Sequence, residues 1–255
     1  MDGDRVRGEH GTRAPILDPD TLALEEPYEL LTPLEAPEIW CAGVTYERSR
    51  DARIEESGSD VYALVYDAQR PELFLKDAAG RRTAAPGAPV GIREDSTWNV
   101  PEPEIGLVIG RRGEIDGYTI GNDVSSRDIE GANPLYLPQA KVYAGACALG
   151  PCVVDPPEGP FQIRMRILAG DEELWAGETS TARMQRSFDE LVSWLLRDNP
   201  VPPGSVLLTG TGLVPPDELT LSPGHRVEIH VPGIGTLAND VVLATELLER
   251  SPGHV

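Results

Sequence analysis

Most apolar positions of this chain fall in short runs broken by glycine, proline and acidic residues. Runs of that length and punctuation read as strands rather than helices. Ile39 to Val44 forms a short buried strand, and Leu73 to Leu75 forms another that leads to Lys76. Between them, the charged stretch from Thr45 to Glu56 reads as a helix ending at Gly58, and Asp60 is placed to cap a second helix through Ala68, stopped by Pro71. Arg81 to Arg93 is rich in glycine and proline and reads as loops around short strands. Ile105 to Ile109 and Ile115 to Ile120 flank the turn Gly110-Arg111-Arg112-Gly113 and predict a hairpin. Ala148 to Val154 follows, then a hairpin of Phe161–Ile167 and Glu173–Ala176 about Ala169-Gly170-Asp171. Ala182 to Leu196 is the clearest helix: Met184, Phe188, Leu191, Val192, Leu195 and Leu196 recur at helical spacing, a stripe that reads as core. Val206 to Thr209, Arg226 to Val231 and Gly233 to Val241 complete the strands. Strands dominate, which predicts an α+β, mostly β body over residues 38–255. Residues 1–37 are rich in Pro, Asp and Glu, and their apolar stretch from Leu22 to Leu34 is broken by Pro27 and Pro33; they read as an arm or small cap.

The central hairpin carries the first chemical signal. Glu102 and Glu104 are two residues apart where the strand begins, so both side chains leave one face. If the strands pair about the turn so that partner numbers sum to 225, Asp123 lies opposite Glu102. Directly opposed residues have Cα atoms about 4.5–5.5 Å apart. Three carboxylates so placed repel one another unless a cation sits among them. An all-oxygen set selects a hard divalent ion, Mg²⁺ or alternatively Mn²⁺ or Ca²⁺. The blander reading is a Glu-x-Glu pair on a solvated edge, in a chain with 42 acidic residues.

Composition narrows the function classes. A net charge of −20 argues against nucleic acid and against anionic membranes. No apolar run reaches the ~18 residues of a membrane span, and the polar N-terminus lacks the apolar stretch of a secretory signal. Cys41, Cys147 and Cys152 have no zinc-ligand spacing and read as buried thiols of a cytoplasmic protein. The acidity reads either as a shell of the kind halophiles use or as ordinary bacterial acidity. All basic residues are arginines except Lys76 and Lys141. A lysine can give up its proton where an arginine cannot, which singles out both positions. His10, His225, His230 and His254 lie outside the central stretch and read as surface residues.

PEPEIGLVIG, GYTIGNDVSSRD, LPQAK and ALGPCVV, with PELFLK (Pro71–Lys76), LLTGTG (Leu207–Gly212) and GIGTLANDV (Gly233–Val241), resemble the fumarylacetoacetate hydrolase superfamily in motif and order. The resemblance runs from about Ala42 to Leu247. Within that family, GVTYERSRDAR, DSTWNVPEPE and GANPLYLPQAK are most similar to the 2-dehydro-3-deoxy-pentonate (arabinonate) dehydratases. The resemblance implies a mixed β-sandwich roll as catalytic domain, a small 2-oxo sugar acid as substrate and a homodimer or higher homo-oligomer. It carries the metal ligands onto Glu102, Glu104 and Asp123, and an enolate-handling role onto Lys141. Lys141 would take a proton from C3 or donate to the enolate oxygen; the residues alone leave both open. Glu72 is a candidate second acid or base; Phe74, Lys76, Ser125 and Thr209 are candidate substrate contacts, with Thr211 beside the last. Arg127 and Asp128 are expected to pair with each other and hold their loop.

One departure bears on the reaction. Hydrolases of this family follow the first strand with G-x-N-Y-x-x-H and an acid three residues on, a dyad that activates water. Here Ser49 stands at the histidine position and Ala52 at the acid position. Glu47, Asp51 and Glu55 lie nearby, but no spacing selects one. Serine accepts no proton near neutral pH, so the pattern favours metal-dependent dehydration of a 2-dehydro-3-deoxy-pentonate to 2,5-dioxopentanoate. The alternatives are hydrolysis or decarboxylation of acylpyruvate-type acids, or metabolite binding without catalysis.

Overall fold

The computed structural model describes residues 35–49, 61–155 and 160–250, and before them three strand pieces. These are β1 (Arg5–Arg7), β2 (Arg13–Asp18) and β3 (Ala23–Leu24), which form a small antiparallel sheet. The expected arm or cap over residues 1–37 otherwise lies outside the described residues, as do His10, His254, the cap at Asp60 and most of the helix expected from Thr45.

Two sheets make the body. The larger contains β4 (Glu38–Gly43), β5 (Glu72–Ala78), β6 (Thr83–Ala84), β9 (Pro103–Ile109), β10 (Ile115–Asp123), β12 (Cys147–Val154) and β15 (Val206–Leu208), in the order β5-β4-β15-β9-β10-β12-β6. The smaller contains β7 (Val90–Ile92), β13 (Gln162–Ala169), β14 (Glu172–Ser180), β16 (His225–Val231) and β17 (Gly235–Leu243), in the order β14-β13-β16-β17-β7. β8 (Asn99–Val100) and β11 (Ser125–Ser126) pair beside them. Burial alternates along β13 and β16, so one face of the smaller sheet is wet and the other is packed. Its inner residues Ile163, Met165, Ile167, Val227 and Ile229 share one core with Ile105, Leu107, Ile109 and Ile120 of the larger sheet. Two sheets closed on a common core make the mostly β body that the strand pattern predicts and the sandwich that the family resemblance implies.

β9 is buried along its whole length, because β15 covers one edge and β10 the other. From Gly117↔Val108 to Asn122↔Pro103 its pairing with β10 keeps the expected register, and Asp123 N donates to Glu102 O at 2.9 Å. A bulge between Ile115 and Gly117 takes up one residue beside the turn. Alternation sends Ile105 and Leu107 into the sandwich core and turns Glu104, like Val108, to the opposite face.

The helix expected over Ala182–Leu196 is shorter. A 3₁₀ turn covers Thr181–Arg183, the chain extends through Met184, and the helix runs over Phe188–Leu195. Ser187 accepts a hydrogen bond from Glu190 N and caps it. Met184 is drawn out of the helix by a bridge to Tyr46, and Gln185 N donates to Thr45 O at 2.9 Å. The second expected helix runs over Val61–Asp67, and β14 extends well past Ala176 to Ser180.

Gly91 in β7 marks where the smaller sheet meets the chain that follows Lys141. Its N–H donates to Gly145 O at 2.9 Å, and an added β-carbon would collide with the backbone carbonyl of Ala144. Backbone stands on both sides, so neither can yield. Gly91→Ala is expected to destabilise the fold by about 1–3 kcal/mol or more in urea unfolding; an unchanged midpoint would contradict this close approach.

Candidate metal centre and active site

Glu102, Glu104 and Asp123 each offer a carboxylate oxygen within 4.8 Å of the other two, and all three residues are buried. Among the described residues this is the one such cluster of His, Cys, Asp or Glu side chains. β9 and the residue before it supply the first pair, and the last residue of β10 supplies Asp123. Burial first, then the charges of Asp123 and Glu102, push the Glu104 carboxyl well above its ordinary range. The donor set is three hard oxygens and no sulfur or imidazole. Its mutual repulsion is what a divalent cation would relieve, so the residues fit Mg²⁺, Mn²⁺ or Ca²⁺.

Positive charge surrounds the cluster. Lys141 ends the short helix Leu137–Lys141, and its Nζ donates to Glu102 Oε2 at 2.9 Å and Asp123 Oδ2 at 3.0 Å. It also donates to Ser125 Oγ at 2.6 Å, and Ser125 in turn donates to the carbonyl of Asp123 at 2.9 Å. Arg127 Nη2 donates to Glu102 Oε1 at 2.7 Å. The N–H of Gly210, past the end of β15, donates to Glu104 Oε2 at 2.6 Å. Thus each carboxylate is oriented by at least one donor.

One pocket gathers Glu102, Glu104, Asp123 and Lys141 with Gly43, Val44, Ser49, Glu72, Phe74 and Glu130 around them. The Lys141 ammonium lies 5.7 Å from the centre of the Phe74 ring. Glu72, at the start of β5, lies so close to Gly43 that a β-carbon there would strike its carboxylate. Val44 holds φ at 53°, a left-handed conformation that costs a β-branched residue roughly 1–3 kcal/mol. That turn lifts the chain off the end of β4 and over the pocket.

Several expected roles change on this geometry. Lys76 has no exposed surface and does not line the pocket. Its ammonium donates to Val124 O at 3.0 Å and to the carbonyl of Lys141, and forms an ion pair with Asp123. It is an internal counter-charge beneath the site, where a substrate cannot reach it. Ser125 is fully buried under Lys141 and positions that side chain. Thr209 turns its hydroxyl to Ile105 O at 3.0 Å and its carbonyl accepts from Thr45 Oγ1 at 2.7 Å, so both groups are spent inside the sheet. Thr211 lines the pocket, but its hydroxyl bonds Leu213. Arg127 and Asp128 do not turn to each other. Asp128 accepts from Ser96 and Thr97 and holds that loop, while Arg127 serves Glu102. Sequence reasoning passed over Glu130, which lines the pocket; its signal is an acidic residue three positions after Arg127, on the same helix face.

The fumarylacetoacetate (FAA) hydrolase C-terminal family matches residues 38–242. The chain is 55% identical over 214 residues to a probable 2-keto-3-deoxyxylonate dehydratase of Haloferax volcanii, covering 82% of this chain and 73% of that protein. It is 42% identical over 218 residues to the 2-dehydro-3-deoxy-D-arabinonate dehydratase of Saccharolobus solfataricus, with the same coverage of 82% and 73%. A solved 2-keto-3-deoxy-D-arabinonate dehydratase, complexed with magnesium and 2,5-dioxopentanoate, superposes with a TM-score of 0.80 at 37% identity, covering 91% of this chain and 83% of that one.

The Glu104 environment generates a test. Glu104→Gln removes one of three mutually repelling charges, so the metal-free variant is expected to melt at or above the wild type while losing the stabilisation that Mg²⁺ gives. In the wild type, protons compete with the metal for a carboxyl already held above its ordinary range, so Mg²⁺ affinity should fall as pH falls. Melting curves with and without Mg²⁺, and titration calorimetry from about pH 8 down to pH 5.5, read both effects. Unchanged Mg²⁺ stabilisation in the variant would contradict the assignment. With its fold, its buried carboxylate cluster and a match over most of its length, the chain belongs to the fumarylacetoacetate hydrolase family.

Proposed function

We propose that this protein dehydrates a 2-keto-3-deoxypentonate to 2,5-dioxopentanoate, using a divalent cation, Mg²⁺ by preference, held by Glu102, Glu104 and Asp123. The observation that carries the reading is the composition of the pocket at the carboxylate cluster. The carboxylate cluster, Lys141 and Glu72 share it, while Ser49 stands where a water-activating base would be needed for hydrolysis. The similarity to two dehydratases supports the substrate class.

When bound, the cation polarises the 2-oxo group and makes the protons at C3 acidic. Lys141 Nζ, placed beside Glu102, Asp123 and Ser125, takes a C3 proton in its neutral amine form, after giving up one of the protons it donates to them. The electron pair of that C–H bond forms the C3–C4 double bond as the C4–O bond breaks. Glu72, in its acid form, gives the departing hydroxyl a proton, and water leaves. A proton then moves from C5 to C3, giving the C4–C5 enol, and the C5 hydroxyl proton moves to C4 as that enol ketonises, which leaves the C5 oxygen as the aldehyde of 2,5-dioxopentanoate. Phe74 supplies an apolar wall and limits water at the reacting carbons. Lys76 keeps Asp123 and the end of the Lys141 helix in place.

Three buried free cysteines fit a cytoplasmic protein, and no described helix is long and apolar enough to cross a membrane. Assembly into a homodimer or larger homo-oligomer belongs to the same proposal and rests on the family resemblance.

Purified protein incubated with 2-keto-3-deoxypentonates and then with acylpyruvates, each with and without Mg²⁺, tests the reading. Dehydration of a pentonate that depends on the metal is expected; turnover of acylpyruvates alone would overturn it. Lys141→Arg keeps the charge but not the titratable amine. It should lower kcat by ~10²–10⁴-fold, close to Lys141→Ala. An arginine variant that restores much of the rate would give Lys141 an electrostatic role instead.

A further inference from the structure

Part of the pocket wall is made by the chain that leaves β4. Val44 turns it, and two contacts then pin it. Thr45 Oγ1 donates to Thr209 O at 2.7 Å, and Gln185 N donates to Thr45 O at 2.9 Å in the bridge between Tyr46 and Met184. A helical turn begins at Glu47 and brings Ser49 over the pocket, beside Glu72, Phe74 and Lys141. Ser49 is only 7% exposed, and its hydroxyl makes no hydrogen bond among the described residues. A hydroxyl on an anchored segment with a strained turn, lining the pocket, is placed to meet a ligand atom.

We infer that Ser49 is a specificity-determining residue whose hydroxyl donates to the C5 oxygen of the substrate. The inference rests on the dehydratase reading for the substrate's chain length. Chemistry selects the oxygen. The C1 carboxylate and the 2-oxo oxygen belong to the carboxylate and metal side of the pocket. The C4 hydroxyl departs and needs an acid, which serine is not near neutral pH and Glu72 can be. The C5 oxygen stays in the product, first as hydroxyl and then as aldehyde, and both forms accept a hydrogen bond from a hydroxyl. A site that bonds a substrate hydroxyl also rejects analogues lacking it, because its own polar group is then left buried and unpaired.

Two probes differ by that one group, 5-hydroxy-2-oxopentanoate and 2-oxopentanoate. Neither has a C4 hydroxyl, so neither can be dehydrated by the proposed route. Their affinities for the wild type, Ser49→Ala and Ser49→Thr are measured by calorimetry with saturating Mg²⁺, after melting curves establish that all three are folded. The wild type should bind the hydroxylated probe about fivefold or more tightly, as a neutral hydrogen bond implies. Ser49→Ala should bind the two within about twofold, and Ser49→Thr, which keeps the hydroxyl, should retain the preference. An alanine variant that still discriminates, or a wild type that does not discriminate or binds neither probe, overturns the proposal. Turnover of 2-keto-3-deoxypentonate by the wild type is measured in parallel. Its failure would remove the dehydratase reading, while the binding comparison still decides the role of Ser49.

Discussion

Three carboxylates within 4.8 Å of one another, away from water, cannot all stay ionised unless positive charge surrounds them. Much of the fold near β9 and β10 answers that constraint. Lys141 bridges Glu102 and Asp123 from one side, Arg127 takes the free oxygen of Glu102, and Lys76 meets Asp123 from below. The Gly210 amide serves Glu104. These donors come from a helix end, a helix start, the edge strand β5 and a loop, so the site is what fastens those elements together. Removing one partner would leave a buried charge uncompensated, which is far more costly than losing a surface ion pair.

The same arrangement prepares the chemistry. A cation among the carboxylates would replace repulsion with ligation and give the pocket an electrophile. Lys141 stands beside those carboxylates on a rigid support, its side-chain nitrogen held by Ser125 and the carbonyl at its own position held by Lys76. Glu72 and Phe74, both on β5, face the pocket from the strand that Lys76 anchors. Positioning of this kind is worth more to catalysis than any added contact, because the reacting groups need no reorganisation when substrate arrives.

The part of this that local pattern can encode is legible in the sequence. The spacing of Glu102 and Glu104, the glycine-bounded turn and the length of the two runs fix the register that brings Asp123 to Glu102, and the structure keeps it. Long-range partners are not encoded that way. β15 enters between β4 and β9, parallel to one and antiparallel to the other, although their residues lie far apart in the chain. Lys76 stands out as one of two lysines, but its burial follows from packing between β5 and Val124, which its neighbours in sequence do not announce. Arg127 and Asp128 are adjacent and of opposite charge, so pairing is the local expectation; the helix that begins at Arg127 sends the two side chains apart. The helix over 182–196 was over-long for a similar reason. Its apolar stripe is real, but Met184 satisfies it by bridging Tyr46.

The central claim is that Glu102, Glu104 and Asp123 share one divalent cation and present it to a 2-oxo acid. A crystal grown with Mn²⁺ and 2-oxopentanoate, with anomalous scattering recorded at the manganese edge, tests it directly. The account predicts a single strong peak with oxygens of all three carboxylates at bonding distance and the 2-oxo carboxylate completing its shell. A peak elsewhere, or one that any of the three carboxylates fails to touch, would contradict it.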